Sequence, residues 1–173
     1  MAYRRALGGF GTGVALVAAD DAQGRSHGMI VNSLTSVSLD PPILLWCLAT
    51  SSAAFSVFTD CATFSVNILR AGEEGLVKAF SRKGDRILLP DQICRMETGA
   101  PVLSAAVASL DCRMRRRQLE GDHEVIFGDV VAYRDDAEGV MPEDDPPVRI
   151  TRIVLRPEIT VRGDVTDDRP PTT

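Results

Sequence analysis

The spacing of apolar positions changes period several times along the chain. Tyr3, Ala6, Leu7 and Phe10 recur at helical spacing, which predicts a short amphipathic helix over residues 2–9. Gly8, Gly9, Gly11 and Gly13 stop it. Val14–Ala19 is an apolar run of strand length, Asp20–Gly24 carries turn chemistry, and a second strand follows through Val31, so the two form a hairpin. Ile43–Leu48 is continuously apolar, as expected of a strand covered on both faces. Ser51 and Ser52 are placed to cap a helix running to Phe58, Thr63–Leu69 alternates as a strand, and Glu73–Arg82 has helical spacing. Residues 83–104, interrupted by Gly84, Pro90, Gly99 and Pro101, read as a long irregular excursion.

Val107–Leu119 and His123–Arg134 then form the clearest hairpin, turning at Glu120-Gly121-Asp122. Strict alternation puts Arg113, Arg115 and Arg117 on one face of it, with Met114 and Arg116 on the other. Residues 135–147 hold six acidic residues and three prolines, which makes them a loop, and Val148–Leu155 is expected as a final strand. Two hairpins, further strands and only short helices predict a mainly β barrel or sandwich.

Composition narrows what such a fold does. At 173 residues the chain is most simply one domain, and a net charge of −5 argues against nucleic-acid binding through the overall field. The arginine-rich strand is better read as a solvated, oligomer-facing or phosphate-facing surface than as a nucleic-acid patch. Only three tyrosine or tryptophan residues accompany it. No apolar run reaches the roughly 20 residues of a membrane span. Arg4-Arg5 precedes an apolar run too short for an export signal, and four widely spaced cysteines read as free thiols of a reducing cytoplasm.

Several catalytic patterns fail on inspection. "GGFGTG" lacks the spacing of a dinucleotide-binding fingerprint and follows a helix rather than a strand. "HEVIF" has Phe127 where a zinc motif needs histidine, and His27 and His123 are the only histidines, so no metal site is expected. Neither a nucleophile elbow nor a P-loop occurs. What remains is "SHGMIVNSLTSVSLDPP" at 26–42, rich in small hydrogen-bonding side chains, together with Thr50-Ser51-Ser52 and His123 after a tight turn. Such groups suit a phosphate or the polar edge of a heteroaromatic ring; they also suit an ordinary polar loop, and pattern alone leaves both open.

Taken in order, "YRRALGGFGTGVALVAA", "SHGMIVNSLTSVSLDPPILLWC", "FSVNIL", "GAPVLSAAVASLDC" and "GDHEVIFGDVV" resemble the flavin reductase-like family over residues 3 to about 134. The resemblance implies an FMN-binding split β-barrel of Greek-key type with short peripheral helices, in a domain placed at residues 1–160; the composition of the C-terminus reads 161–173 as a disordered tail. The resemblance implies an NAD(P)H-dependent reductase that transfers hydride to FMN (or FAD) and supplies a separate monooxygenase. A homodimer with flavin near the subunit interface is implied as well. Carried over residue by residue, Asn32, Ser33 and Thr35 lie along the isoalloxazine edge, and Thr50, Ser51 and Ser52 near the ribityl phosphate. Lys83 and Gly84, in "SRKGDR", lie on the phosphate side, with Arg82 or Lys83 supplying positive charge. Asp40-Pro41-Pro42 becomes a rigid corner, His27 has no role, and His123, in the Gly-Asp-His position, is the candidate catalytic residue beside the nicotinamide.

One segment departs from the family pattern. Family members end in a strand with a short aromatic motif that helps close the site, whereas residues 139–161 here contain no Tyr or Phe. That departure bears on nicotinamide more than on flavin. It keeps an alternative in view, a flavin-binding electron-transfer module with little or no NAD(P)H oxidation.

Overall fold

The computed structural model describes residues 2–70, 72–81 and 86–135. Helix α1 (Ala2–Leu7) leads into the hairpin of β1 (Ala15–Asp20) and β2 (Ser26–Val31). The carboxylate of Asp21 organises the hairpin turn. It accepts hydrogen bonds from the backbone of Gln23 and Arg25, from Arg25 Nε and from His27 Nε2, at 2.8–2.9 Å. Burial pushes the Asp21 carboxyl up, but the bonds from His27 and Arg25 outweigh it and hold the group well below the usual carboxylate range. His27 is thereby accounted for as a turn fastener.

Among the described residues, strands β3 (Thr35–Leu39), β4 (Pro42–Ala49), β5 (Thr63–Ile68), β8 (Ala108–Glu120) and β9 (His123–Asp135) complete an antiparallel sheet of seven strands in the order β2-β1-β5-β8-β9-β4-β3. That order forces the sheet to close. Strands β2 and β3 stand at opposite edges, which in a flat sheet would lie about 29 Å apart (six spacings of ~4.8 Å). Only Asn32, Ser33 and Leu34 join them, and that link reaches at most about 15 Å. The sheet therefore curls into a barrel whose edge strands β2 and β3 meet without pairing to each other among the described residues, a split barrel with its seam at residues 32–34.

Alternation along each strand builds two cores. Ala15, Val17, Met29, Val31, Leu44, Trp46, Leu48, Phe64, Val66 and Ile126 fill the barrel, plugged by Phe58 of α2 (Phe55–Asp60). Trp46 packs edge-on against Phe58 and Phe64, with centroids 5.5 and 5.9 Å away. Gly128 makes room for Phe64, because a Cβ there would lie 2.6 Å from the ring. Outside the barrel, Leu16, Ala18, Leu69, Leu88 and Leu103 pack with Val77 and Phe80 of α3 (Glu74–Ser81).

Where the excursion was expected to be irregular, the chain forms a 3-10 turn at Pro90–Gln92 and a two-stranded sheet of β6 (Ile93–Arg95) and β7 (Pro101–Leu103). Side chains fasten it to the barrel. Asn67 donates to the Leu16 carbonyl and Ser65 Oγ, and its oxygen accepts from the Leu103 amide and Ser109 Oγ. Ser65 Oγ donates to the Pro101 carbonyl, and the buried Asp111 accepts from the amide and hydroxyl of Thr98.

Other expectations shift in detail. Strand β4 alternates buried Leu44, Trp46 and Leu48 with half-buried Ile43, Leu45 and Cys47, so it is fully covered on its inner face only. Helix α2 begins at Phe55 after Ala54, and no side chain caps it. Bulges interrupt the β8–β9 register, one of them at Arg115, so the even arginine alternation breaks. Arg113 stands opposite Asp129, Arg115 pairs with Asp129 at 2.7 Å, and Arg116 lies 3.7 Å over the Phe127 ring. Asp40–Pro41, cis, forms the tight β3–β4 corner. Lys83, Gly84, the strand expected at 148–155 and the tail at 161–173 fall outside the described residues. No helix among the described residues is long and apolar enough to cross a membrane.

Candidate functional site

A cleft of about 580 Å³ opens along the seam of the barrel, within the size range of small-molecule sites. Its walls are the end of β2 and the link (Met29–Ser33), the end of β4 with the following turn (Cys47, Ala49, Ser51–Ala53), the end of α3 (Phe80, Ser81), Arg86, and His123. Five residues expected at the site, Asn32, Ser33, Ser51, Ser52 and His123, are thus brought together from segments far apart in sequence.

The hydroxyls do different work from one another. Ser33 Oγ accepts from the Cys47 amide at 2.9 Å and turns back to the Cys47 carbonyl at 3.4 Å. Pairing of β3 with β4 ends at Thr35–Leu45, so this side chain replaces the next rung of the ladder and pins the link to β4. Ser52 Oγ receives the Ala54 amide at 3.3 Å and reaches Met29 Sδ across the seam at 3.6 Å. Among the described residues, the Asn32 side chain and Ser51 Oγ make no hydrogen bond, and neither do the Ser51 and Ala53 amides. These groups are available to a ligand.

Thr35 and Thr50 do not line the cleft. Thr35 is an exposed residue of the edge strand, opposite Leu45. Thr50 bonds the β8–β9 turn, with its amide and Oγ1 both donating to the Asp122 carbonyl, at 2.9 and 3.1 Å. Lys83 and Gly84 lie outside the described residues, although Ser81 and Arg86, on either side of that loop, both line the cleft.

His123 opens β9 opposite Ala49 of β4, and its side chain is 44% exposed at the rim. Its Nδ1 donates to Asp122 Oδ1 at 2.7 Å, so Nε2 is the nitrogen left for a ligand. The hydrogen bond from His123, and then its charge, hold the Asp122 carboxyl below the usual carboxylate range.

Arg86 is a site residue that sequence reasoning passed over in favour of Arg82 and Lys83. Its carbonyl accepts the Gly28 amide at 2.8 Å, which fastens its backbone to β2. Its Nε is buried and has no partner among the described residues. A buried guanidinium N–H without a partner, on the wall of a cleft, fits an anionic ligand. Phe80, whose ring sits against Gly28, and Cys47 also line the cleft. The signal for both was their apolar spacing, which reads equally as core.

The model of the flavin reductase-like domain matches residues 7–144. The chain belongs to the flavin reductase-like family. Among its relatives, an actinorhodin polyketide dimerase of Streptomyces coelicolor is 37% identical over 137 residues, which cover 79% of this chain and 77% of that protein. Solved structures share the fold. The NADH:FAD oxidoreductase SgcE6 of Streptomyces globisporus, in complex with NAD and FAD fragments, superposes with a TM-score of 0.68 at 34% identity, covering 77% of this chain and 80% of that one. The styrene monooxygenase flavin reductase of Pseudomonas putida S12 gives 0.69 at 30% identity, covering 77% and 87%. These two reductases therefore share the overall fold of this chain.

Proposed function

We propose that this protein is an NADH-dependent flavin reductase that binds FMN or FAD in the seam cleft and hands reduced flavin to a separate oxygenase. The observation that carries this reading is the cleft itself, which brings together a buried guanidinium N–H (Arg86 Nε) and amides and hydroxyls (Asn32, Ser51, Ala53) without a partner among the described residues, a half-exposed histidine (His123) and the apolar Met29 and Phe80. When bound together, nicotinamide and flavin supply the hydride chemistry themselves.

The chain's own residues bind and align. Arg86 and the Ser51–Ala53 turn hold the flavin phosphate, by a charge-assisted bond and by backbone amides. Asn32 meets the polar edge of the isoalloxazine ring, while Met29, Cys47 and Phe80 supply apolar contact and exclude water. His123 presents Nε2 at the rim, where it orients the nicotinamide, and Asp122 fixes its tautomer. No general base is required, which suits a site built from hydroxyls, amides and one imidazole.

The relatives that partner a monooxygenase support the oxygenase assignment, and the four free thiols support a reducing cytoplasm as the setting. We read the protein as a homodimer. The edge strand β3, with Val37 48% and Leu39 88% exposed, is the apolar surface a second copy would cover.

The test is NADH oxidation by the full chain with and without added FMN or FAD, beside flavin titrations of Arg86→Ala. Flavin-dependent turnover is expected, reduced about tenfold or more in His123→Ala. Arg86→Ala should weaken flavin binding about ten- to a hundredfold, the loss of a charge-assisted bond of about 1.5–3 kcal/mol. Bound flavin without turnover would overturn the reductase and leave an electron carrier. Unchanged flavin affinity in Arg86→Ala would move the phosphate site elsewhere.

A further inference from the structure

Thr50 belongs by sequence with the phosphate-facing hydroxyls, yet its geometry gives it another task. Its only hydroxyl proton is committed to the Asp122 carbonyl at 3.1 Å, alongside its own amide at 2.9 Å. What Oγ1 retains is acceptor capacity alone, which repels a phosphate oxygen instead of binding it. Nor does Thr50 cap a helix, since α2 begins five residues later at Phe55.

The carbonyl it grips is that of Asp122, in the tight turn where Gly121 takes a φ of 61°. Asp122 is also the residue whose carboxylate holds His123 Nδ1 at 2.7 Å. The turn joins two strands of 13 residues each, and β9 is paired with β4 only as far as Ala49–His123. Thr50 comes directly after that last rung. A hairpin end frays unless something ties it laterally, and here one residue supplies two donors to one carbonyl just beyond the pairing.

We infer that Thr50 is a positioning residue, clasping the Asp122–His123 turn to the end of β4 so that the His123 imidazole is held at the rim of the cleft. This rests on the reading of His123 as the nicotinamide-facing residue. An imidazole displaced by a fraction of an ångström loses much of its value in aligning a reactant, so the clasp governs nicotinamide kinetics and leaves flavin affinity alone.

The experiment compares Thr50→Val, which keeps shape and amide but loses the hydroxyl, with Thr50→Ser, which restores the donor. Because His27 and His123 are the only histidines, imidazole ¹⁵N–¹H spectra report His123 with His27, which lies on β2 bonded to Asp21 and does not line the cleft, as internal control. Thr50→Val is expected to shift or broaden the His123 ring signals and leave those of His27 in place. It should lower kcat/KM for NADH about five- to tenfold, with flavin affinity within about twofold of the parent. Thr50→Ser should restore both. In a His123→Ala background, Thr50→Val should cost less than about twofold further.

Unmoved His123 signals together with a tenfold loss of flavin affinity would overturn the inference and return Thr50 to the phosphate. A full additional loss in the His123→Ala background would also overturn it, because Thr50 would then act by another route. If His123→Ala alone turns over like the parent, the reading of His123 is what fails, and the clasp is then decided by the ring signals.

Discussion

Ser33 shows how far a residue type can mislead about its partner. A serine in a polar stretch beside a strand invites assignment to a ligand, but here its oxygen completes a backbone ladder, accepting the Cys47 amide from 14 positions away. The link 32–34 has to leave the sheet in order to cross the seam. The side chain lets it leave without orphaning the Cys47 N–H. Ser33→Ala should therefore cost about 1–3 kcal/mol of stability, the penalty for an unsatisfied part-buried amide, and should loosen flavin binding as a consequence. Urea denaturation with and without saturating FMN checks this; a variant that loses flavin affinity at unchanged apo stability would restore Ser33 to direct contact. Identity and spacing made the seam residues visible in the sequence as hydrogen-bonding groups. What they bond is fixed by strand order, which one chain's local pattern does not contain.

The elements were legible wherever burial was one-sided and regular. Both hairpins, the helix over Glu74–Ser81 and strand β5 fell close to their expected bounds. The excursion was not legible, because its hydrogen bonds run to side chains of other strands and its own strands are three residues long. Asn67 is the centre of that arrangement, with both N–H donors and both acceptor positions occupied and no exposure to solvent. In the motif "FSVNIL" it stands on the face that turns away from the barrel interior, so its role is to bind β7 to β1 and β8. Asn67→Ala leaves the Leu103 amide and the buried Ser109 hydroxyl without partners and should destabilise the fold by about 2–4 kcal/mol, since each stranded buried group costs about 1–3 kcal/mol. Hydrogen exchange should show protection lost first at the Val102, Leu103 and Val107 amides. A uniform loss across the sheet would instead make Asn67 a general core residue. The arginine strand failed for a related reason: one bulge at Arg115 reverses the parity of the residues beyond it, and bulges leave little trace in alternation.

At the scale of the whole molecule, the split is what makes a binding site out of a barrel. Closure by hydrogen bonds would have filled the gap between β2 and β3; crossing it with three residues leaves a groove floored by β4 and rimmed by the β8–β9 turn. The four thiols sample this geometry from different sides. Cys47 lies on the cleft wall, Cys94 lines a separate pocket with Arg25 and Arg95, and Cys112 is fully buried in the barrel. Burial, reinforced by the charges of Asp111 and Asp129, pushes the Cys112 thiol up to about 12, and burial pushes Cys61 to about 11. At pH 8 about one Cys112 in ten thousand is thiolate, and even that fraction is out of reach of a reagent. Alkylation of the native protein at pH 8, read by peptide mass spectrometry, should therefore leave Cys112 unlabelled while Cys47 and Cys94 react. Saturating flavin should slow labelling of Cys47 and leave Cys94 at its original rate, because only one of the two pockets lies on the seam. Protection of Cys94 instead would put the flavin beside the β1–β2 turn, on the far side of the segment that covers β2, and the seam would then be a structural joint with no ligand of its own.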